Sequence, residues 1–206
     1  MSPLATNEDV LIVQADSAET SLGWATLGAR RWRCTVGEGG VREDKVEGDA
    51  ATPAGEYPLR RLYFRNDRLV LPKVRLPARP ISEHDGWCDD PQSPTYNRLV
   101  HVPNDWSAEK MWREDGLYDL VVVVGYNDDP PEGEWGSAIF LHVAREDYAP
   151  TKGCVAFSQV DLLELVQLLG PATRLRVLAW PAAEDAAAPA LGAEMKALED
   201  FDEKDW

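Results

Sequence analysis

Two neighbouring stretches decide how this chain reads: Ser137-Ala-Ile-Phe-Leu-His142, an apolar strand-like run ending on a histidine, and Thr151-Lys-Gly-Cys154, a polar glycine turn ending on a cysteine. Ile139 to Val143 reads as a buried strand, as does Leu117 to Tyr126 with its Val121-Val-Val-Val124 run. A thiol attacks a carbonyl carbon as thiolate, so a reactive cysteine needs a base or a positive charge nearby and N–H groups to hold the oxyanion. Gly153 permits an exposed turn that presents the thiol. A lone His and Cys at this spacing are more often structural, and the glycine beside the cysteine on a polar loop keeps the reading as nucleophile and base open.

Outward from this pair the chain is strand-rich. Residues 9 to 14 and 21 to 36 are short β-prone runs broken by Gly23, Gly28 and Gly37-Glu-Gly-Gly40, and 56 to 76 continues the habit. The proline-punctuated stretch 72 to 94 reads as a long irregular excursion of the kind used for binding loops. Ser107 is placed to cap a short helix through Arg113. Ser158 with Asp161 opens a helix over Gln159 to Leu169, with Leu162, Leu165, Val166 and Leu169 on one face and Gly170-Pro171 as its stop. Thr173 to Trp180 returns as a strand. The cysteine precedes this helix by a few residues, so its positive end is expected to favour the thiolate if the turn points that way.

With 206 residues the chain fits one domain that needs neither disulfide nor metal. Residues 8 to 180 form the expected domain, and 181 to 206 an acidic, Ala-rich, partly ordered tail. A formal charge of -15 disfavours nucleic acid and anionic lipid as partners. Of the three cysteines, Cys34 and Cys88 read as buried thiols, with pairing left open. Residues 1 to 14 lack a basic segment followed by an apolar run of signal-peptide length, and no stretch approaches a membrane span, so composition alone reads as soluble and intracellular. His84-Asp85-Gly-Trp-Cys88-Asp89-Asp90 with His101 offers zinc-ligand types, the basis of a rival metallopeptidase reading. No His-Glu-x-x-His or Cys-x-x-Cys supports it, and no cofactor is implied. Eight tryptophans and several tyrosines also allow a wall-binding module that stacks on sugars, although such a module needs no thiol on a glycine turn.

The order His, short loop, [Ser/Thr]-x-Gly-Cys resembles the catalytic signature of the L,D-transpeptidases of bacterial peptidoglycan, the YkuD type. Lys45-x-x-Gly48-Asp49-x-x-Thr52-Pro53-x-Gly55 is similar to that family's upstream hairpin, so the resemblance spans at least residues 35 to 178. It implies a mainly β, single-domain β-sandwich with one or two short helices. It also implies a cysteine-dependent acyl transfer between peptide stems of peptidoglycan through a thioester, with an L,D-carboxypeptidase as the hydrolytic alternative. Members join two diaminopimelate residues or attach L-Ala to diaminopimelate, and carbapenems acylate their cysteine. Cys154 is then nucleophile and His142 base, with Gly153 and Thr151 shaping the turn. Lys152, Tyr126, Asn127, Trp87, Tyr96, Arg98, Ser137 and Arg145 are the expected substrate-binding residues, with no metal. The family usually has histidine two before the cysteine and arginine two after it. Here Lys152 and Ala156 stand there, which points to altered donor recognition, with Lys152, Arg145 and Arg98 as replacement cations. The resemblance implies a periplasmic monomer, although no signal peptide is visible.

Overall fold

The computed structural model describes residues 9–180. The tail expected over 181–206 lies outside the described residues. Three consecutive antiparallel strands, β1 (Val10–Ala15), β2 (Leu22–Leu27) and β3 (Arg30–Thr35), start the chain. Gly28, at φ 57, makes the tight turn between the second and third. After the two-residue strands β4 (Val41–Arg42) and β5 (Thr52–Pro53) comes the long β6 (Gly55–Phe64).

β6 corrects the expected sandwich. Its first half pairs antiparallel with β14 (Arg174–Leu178) and its second half with β11 (Leu120–Val124). β14 runs parallel to β1, β11 pairs with β12 (Phe140–Val143), β12 lies parallel to β13 (Val155–Phe157), and β13 pairs with β3. The strands therefore close into a ring rather than two stacked sheets. A strand long enough to serve two neighbours, with a register shift at Val123/Val124, turns the corner that a sandwich leaves open.

Leu11, Val13, Leu62, Val122, Leu141, Val155, Phe157 and Leu175 belong to the main core. Helix α1 (Gln159–Leu168) adds Leu162, Leu165 and Val166, and its end adds Leu169, as the apolar spacing predicts. Ser158 caps it by accepting from the Asp161 N–H at 3.1 Å.

Two expectations fail in the middle of the chain. The proline-rich excursion contains two strands, β7 (Ala78–Pro80), added alongside β6, and β8 (Asp85–Cys88). The helix expected over 107–113 is instead β10 (Ala108–Lys110), which pairs with β8, itself paired to β9 (Leu99–His101). Glu109 and Arg113 have helical spacing, but pairing with β8 and burial of Met111 override it. Residues of this small sheet and of the ring share a second core of Tyr63, Trp87, Met111, Tyr118, Val121, Val123, Phe140 and Cys154. The run Val121–Val124 is apolar throughout because it is buried on both faces.

Candidate active site

The register of β12 and β13 places the two candidate side chains, His142 and Cys154. Leu141 lies opposite Val155 and His142 opposite Ala156. Side chains alternate along a strand, so Leu141 and Val155 enter the ring core while His142 and Ala156 face outward, and Cys154, two residues before Ala156, shares their side. Both are nearly enclosed, Cys154 at 8% and His142 at 7% exposed.

The turn before the cysteine is held from both ends. Thr151 donates its hydroxyl to the Cys154 carbonyl at 2.6 Å and accepts from the Gly153 N–H at 3.1 Å. The upstream hairpin reaches the same carbonyl, since Thr52 donates to it at 3.4 Å and accepts from the Gly37 N–H at 2.8 Å. Gly153 sits at φ 123, and a Cβ there would lie 2.8 Å from the Ala51 carbonyl oxygen, so strain and space both demand glycine. Further along the hairpin Lys45 is buried and donates to Asp49 at 2.8 Å. Burial pushes the Asp49 carboxyl up, but the Lys45 ammonium and the N–H groups of Val46 and Ala51 outweigh it and hold the group below its usual value.

The thiol of Cys154 donates to the Ala138 carbonyl at 3.2 Å, and its sulfur accepts from the Phe140 N–H at 3.4 Å. Burial drives its pKa to about 12, and the negative charge of Glu109 adds to that, against the Phe140 N–H and the Lys45 charge. His142 goes the opposite way: burial lowers it to about 4, against the pull of the Val143 carbonyl. The Nδ1 of His142 lies 2.8 Å from that carbonyl oxygen. A carbonyl only accepts, so Nδ1 carries the proton and Nε2 the lone pair. The resting pair is therefore a neutral thiol and a neutral imidazole. The helix-dipole expectation is corrected, because β13 separates Cys154 from the helix start and the charge that favours the thiolate is that of Lys45.

Cys154 and His142 open into one cleft of about 580 Å³. Thr151, Lys152, Ser137 and Arg145 line it, as does Ala156. The other expected binding residues build the molecule behind the walls. Trp87 is buried edge-on against Phe140 and donates its indole N–H to Asn97 at 2.9 Å. Tyr96 is buried and donates to Glu47 at 2.8 Å, and Tyr126 packs edge-on against Tyr57 in the main core. Asn127 spends its side chain within its own loop, on Glu132 and Gly136, and exposed Arg98 donates to the Asn97 carbonyl. Loop composition rich in Gly, Pro and Asp suggested a rim; aromatic rings instead fill the space that the small sheet encloses.

Asn97 ties this wall to the thiol. It is 3% exposed, and its Oδ1 accepts from Trp87 and from the Ala138 N–H at 3.1 Å, while its Nδ2 donates to the carbonyls of Tyr126 and Asn127. Ala138, which offers its carbonyl to the thiol, is held at φ 56. The polar cleft residues Glu47, Asp89, Glu109, Arg113 and Tyr118 escaped the sequence reading as site residues. The four-residue spacing of Glu109 and Arg113 was the available signal. As for the zinc reading, among the described residues no three of His, Cys, Asp and Glu converge on a metal-sized site; His84 and His101 stack at 4.9 Å, and all three cysteines are free.

No curated protein matches the chain. Among solved structures it is similar to the crystal structure of Mycobacterium tuberculosis L,D-transpeptidase 1, at 14% identity, with a TM-score of 0.35 over 83% of this chain and 60% of that one. The chain thus spans about 60% of that protein's length. Residues 11–177, which include the hairpin, both strands of the reactive pair and the helix, match the YkuD family, L,D-transpeptidase catalytic domain, and to that family the chain belongs.

Proposed function

We propose that the protein is a cysteine-dependent acyltransferase that cross-links peptide stems of peptidoglycan, with Cys154 as nucleophile and His142 as base. The observation that carries this reading is the opening of both side chains into one cleft, with Nδ1 of His142 oriented by the Val143 carbonyl. A neutral imidazole is the form a base needs, and its depressed pKa keeps it so at neutral pH.

The reaction runs in two halves. On donor binding the S–H turns from the Ala138 carbonyl, Nε2 takes its proton, and sulfur bonds to the carbonyl carbon of a stem amide. The backbone N–H of Cys154 supports the oxyanion, since that of Gly153 is occupied by Thr151. The C–N bond breaks, the amine leaves with the proton from the imidazolium, and a thioester remains. An amine of a second stem then attacks, losing a proton to Nε2; the new C–N bond forms, the C–S bond breaks, and the thiolate recovers the proton. Water in place of the amine gives the carboxypeptidase outcome. Lys152 and Arg145, on the cleft wall, receive stem carboxylates where Ala156 replaces the family's arginine. The substrate places the protein in the periplasm; no helix among the described residues is long and apolar enough to cross a membrane.

Incubating the protein with cell wall and weighing the muropeptide dimers tests this. Dimers formed by the wild type and absent with Cys154→Ala are expected, and their fragmentation reads whether diaminopimelate or L-Ala is acylated. A carbapenem is expected to add one drug mass on Cys154. Cross-linking by Cys154→Ala refutes the mechanism.

A further inference from the structure

The mechanism leaves one group in the cleft without a use. Glu109, on β10, points into the same cavity as Cys154 and His142. Tyr118 donates its hydroxyl to Glu109 Oε1 at 2.9 Å, and Arg113 reaches the same oxygen at 3.2 Å, so Oε2 is left to the cleft. The Tyr118 ring in turn stands edge-on to His142, with centroids 5.4 Å apart. Glu109, Tyr118 and the base thus form one contiguous wall.

Arg113 is shared with Asp115, which it grips through Nε at 3.0 Å and Nη2 at 2.5 Å. Asp89 also lines the cleft, and its Oδ1 is buried with no hydrogen-bond partner. Glu47, Asp89 and Glu109 line the cleft together with Arg113, Arg145 and Lys152, and the Lys152 charge acts on Glu109. An orphaned buried carboxylate oxygen is costly unless a cation or donor arrives from outside.

We propose that Glu109, with Asp89 beside it and Tyr118 and Arg113 holding it in place, forms the acceptor subsite and binds the ammonium group of the incoming stem. The assignment rests on the acyl-transfer reading above. Lys152 and Arg145 come from the loops flanking β12 and β13, Glu109 from the small sheet and Asp89 from the residue after β8, and the Lys152 charge reaches Glu109. The ammonium hydrogen-bonded to Glu109 Oε2 loses one proton to water to become the attacking amine, its nitrogen bonds to the thioester carbon, and its second proton passes to Nε2 of His142 as in the scheme above. A charge-assisted hydrogen bond of this kind is worth about a tenfold change in half-saturation.

The test compares wild type and Glu109→Gln, which keeps the shape and the bond from Tyr118. The probes are a tetrapeptide stem as donor and an amine-bearing stem as acceptor, with hydrolysed and cross-linked products counted as acceptor is raised. Glu109→Gln is expected to raise the half-saturating acceptor concentration about tenfold, and the share of hydrolysed product with it, without raising that of the donor. Glu109→Asp should recover part of the loss. Superimposed acceptor curves, or a parallel loss of donor acylation and cross-linking, overturn the subsite. A second measurement needs only the wild type: Nα-acetyl-lysine methylamide should compete with the acceptor and its Nε-acetylated form should not, and equal competition by the two also overturns it. A wild type that forms no acyl adduct on Cys154 overturns the acyl-transfer reading itself, an outcome distinct from any of these.

Discussion

Replacing His142 by glutamine should flatten the acid limb of the stability curve, and the size of the effect follows from the burial of the ring. The imidazole is 7% exposed and burial lowers its pKa from 6.5 to about 4. The sign is that of a depressed group: the fold prefers the neutral ring, so the contribution is complete above pH 6.5 and is lost as pH falls through 4. Each pH unit between the two values is worth about 1.4 kcal/mol, so the wild type loses about 2 kcal/mol from this group by pH 5 and about 3 kcal/mol by pH 4. Glutamine does not titrate and can still donate to the Val143 carbonyl. Urea unfolding of both proteins at pH 7, 5 and 4 isolates the term, because the carboxylates titrate in each. The difference between them should shift by about 3 kcal/mol over the range. Parallel curves would mean that water reaches the ring and that the base is not held neutral by the fold.

Three further outcomes follow from the site. Iodoacetamide should label Cys154 slowly at pH 7 and about tenfold faster per pH unit up to about pH 11, since its thiol is held near 12; a plateau near pH 8 refutes the neutral resting pair. Gly153→Ala forces a Cβ to within 2.8 Å of the Ala51 carbonyl oxygen at φ 123, so a loss of about 1 to 3 kcal/mol in urea unfolding is expected, with cross-linking reduced further; an unchanged midpoint removes the strain argument. Asn97→Ala deletes both acceptor contacts and both donor contacts of a buried amide, and should cost about 2 to 4 kcal/mol and speed iodoacetamide labelling as the Ala138 loop loosens; loss of stability with unaltered labelling would show that the wall does not hold the thiol.

Local sequence signals were enough to mark most of the elements and the candidate pair Cys154 and His142. Alternation and glycine breaks mark the first strands, apolar spacing and Ser158 mark the helix, and a histidine at a strand end with a cysteine after glycine marks the chemistry, because each signal lies within a few residues. Only the tertiary structure decided what needs partners far along the chain. Ring closure depends on β6 serving β14 and β11 at once, residues about 60 and 120 positions away, which no local pattern encodes. Residues 107–113 carry helical charge spacing yet hold the strand β10 (Ala108–Lys110), because pairing with β8 and burial of Met111 outweigh a preference of a few tenths of a kcal/mol. That strand brings Glu109 to the thiol, and the same closure buries Trp87, Tyr96 and Tyr126 behind the wall they were expected to line. The state of the pair was equally hidden. A thiol and an imidazole are ordinary until desolvation moves one up and the other down, and desolvation is a property of the closed fold.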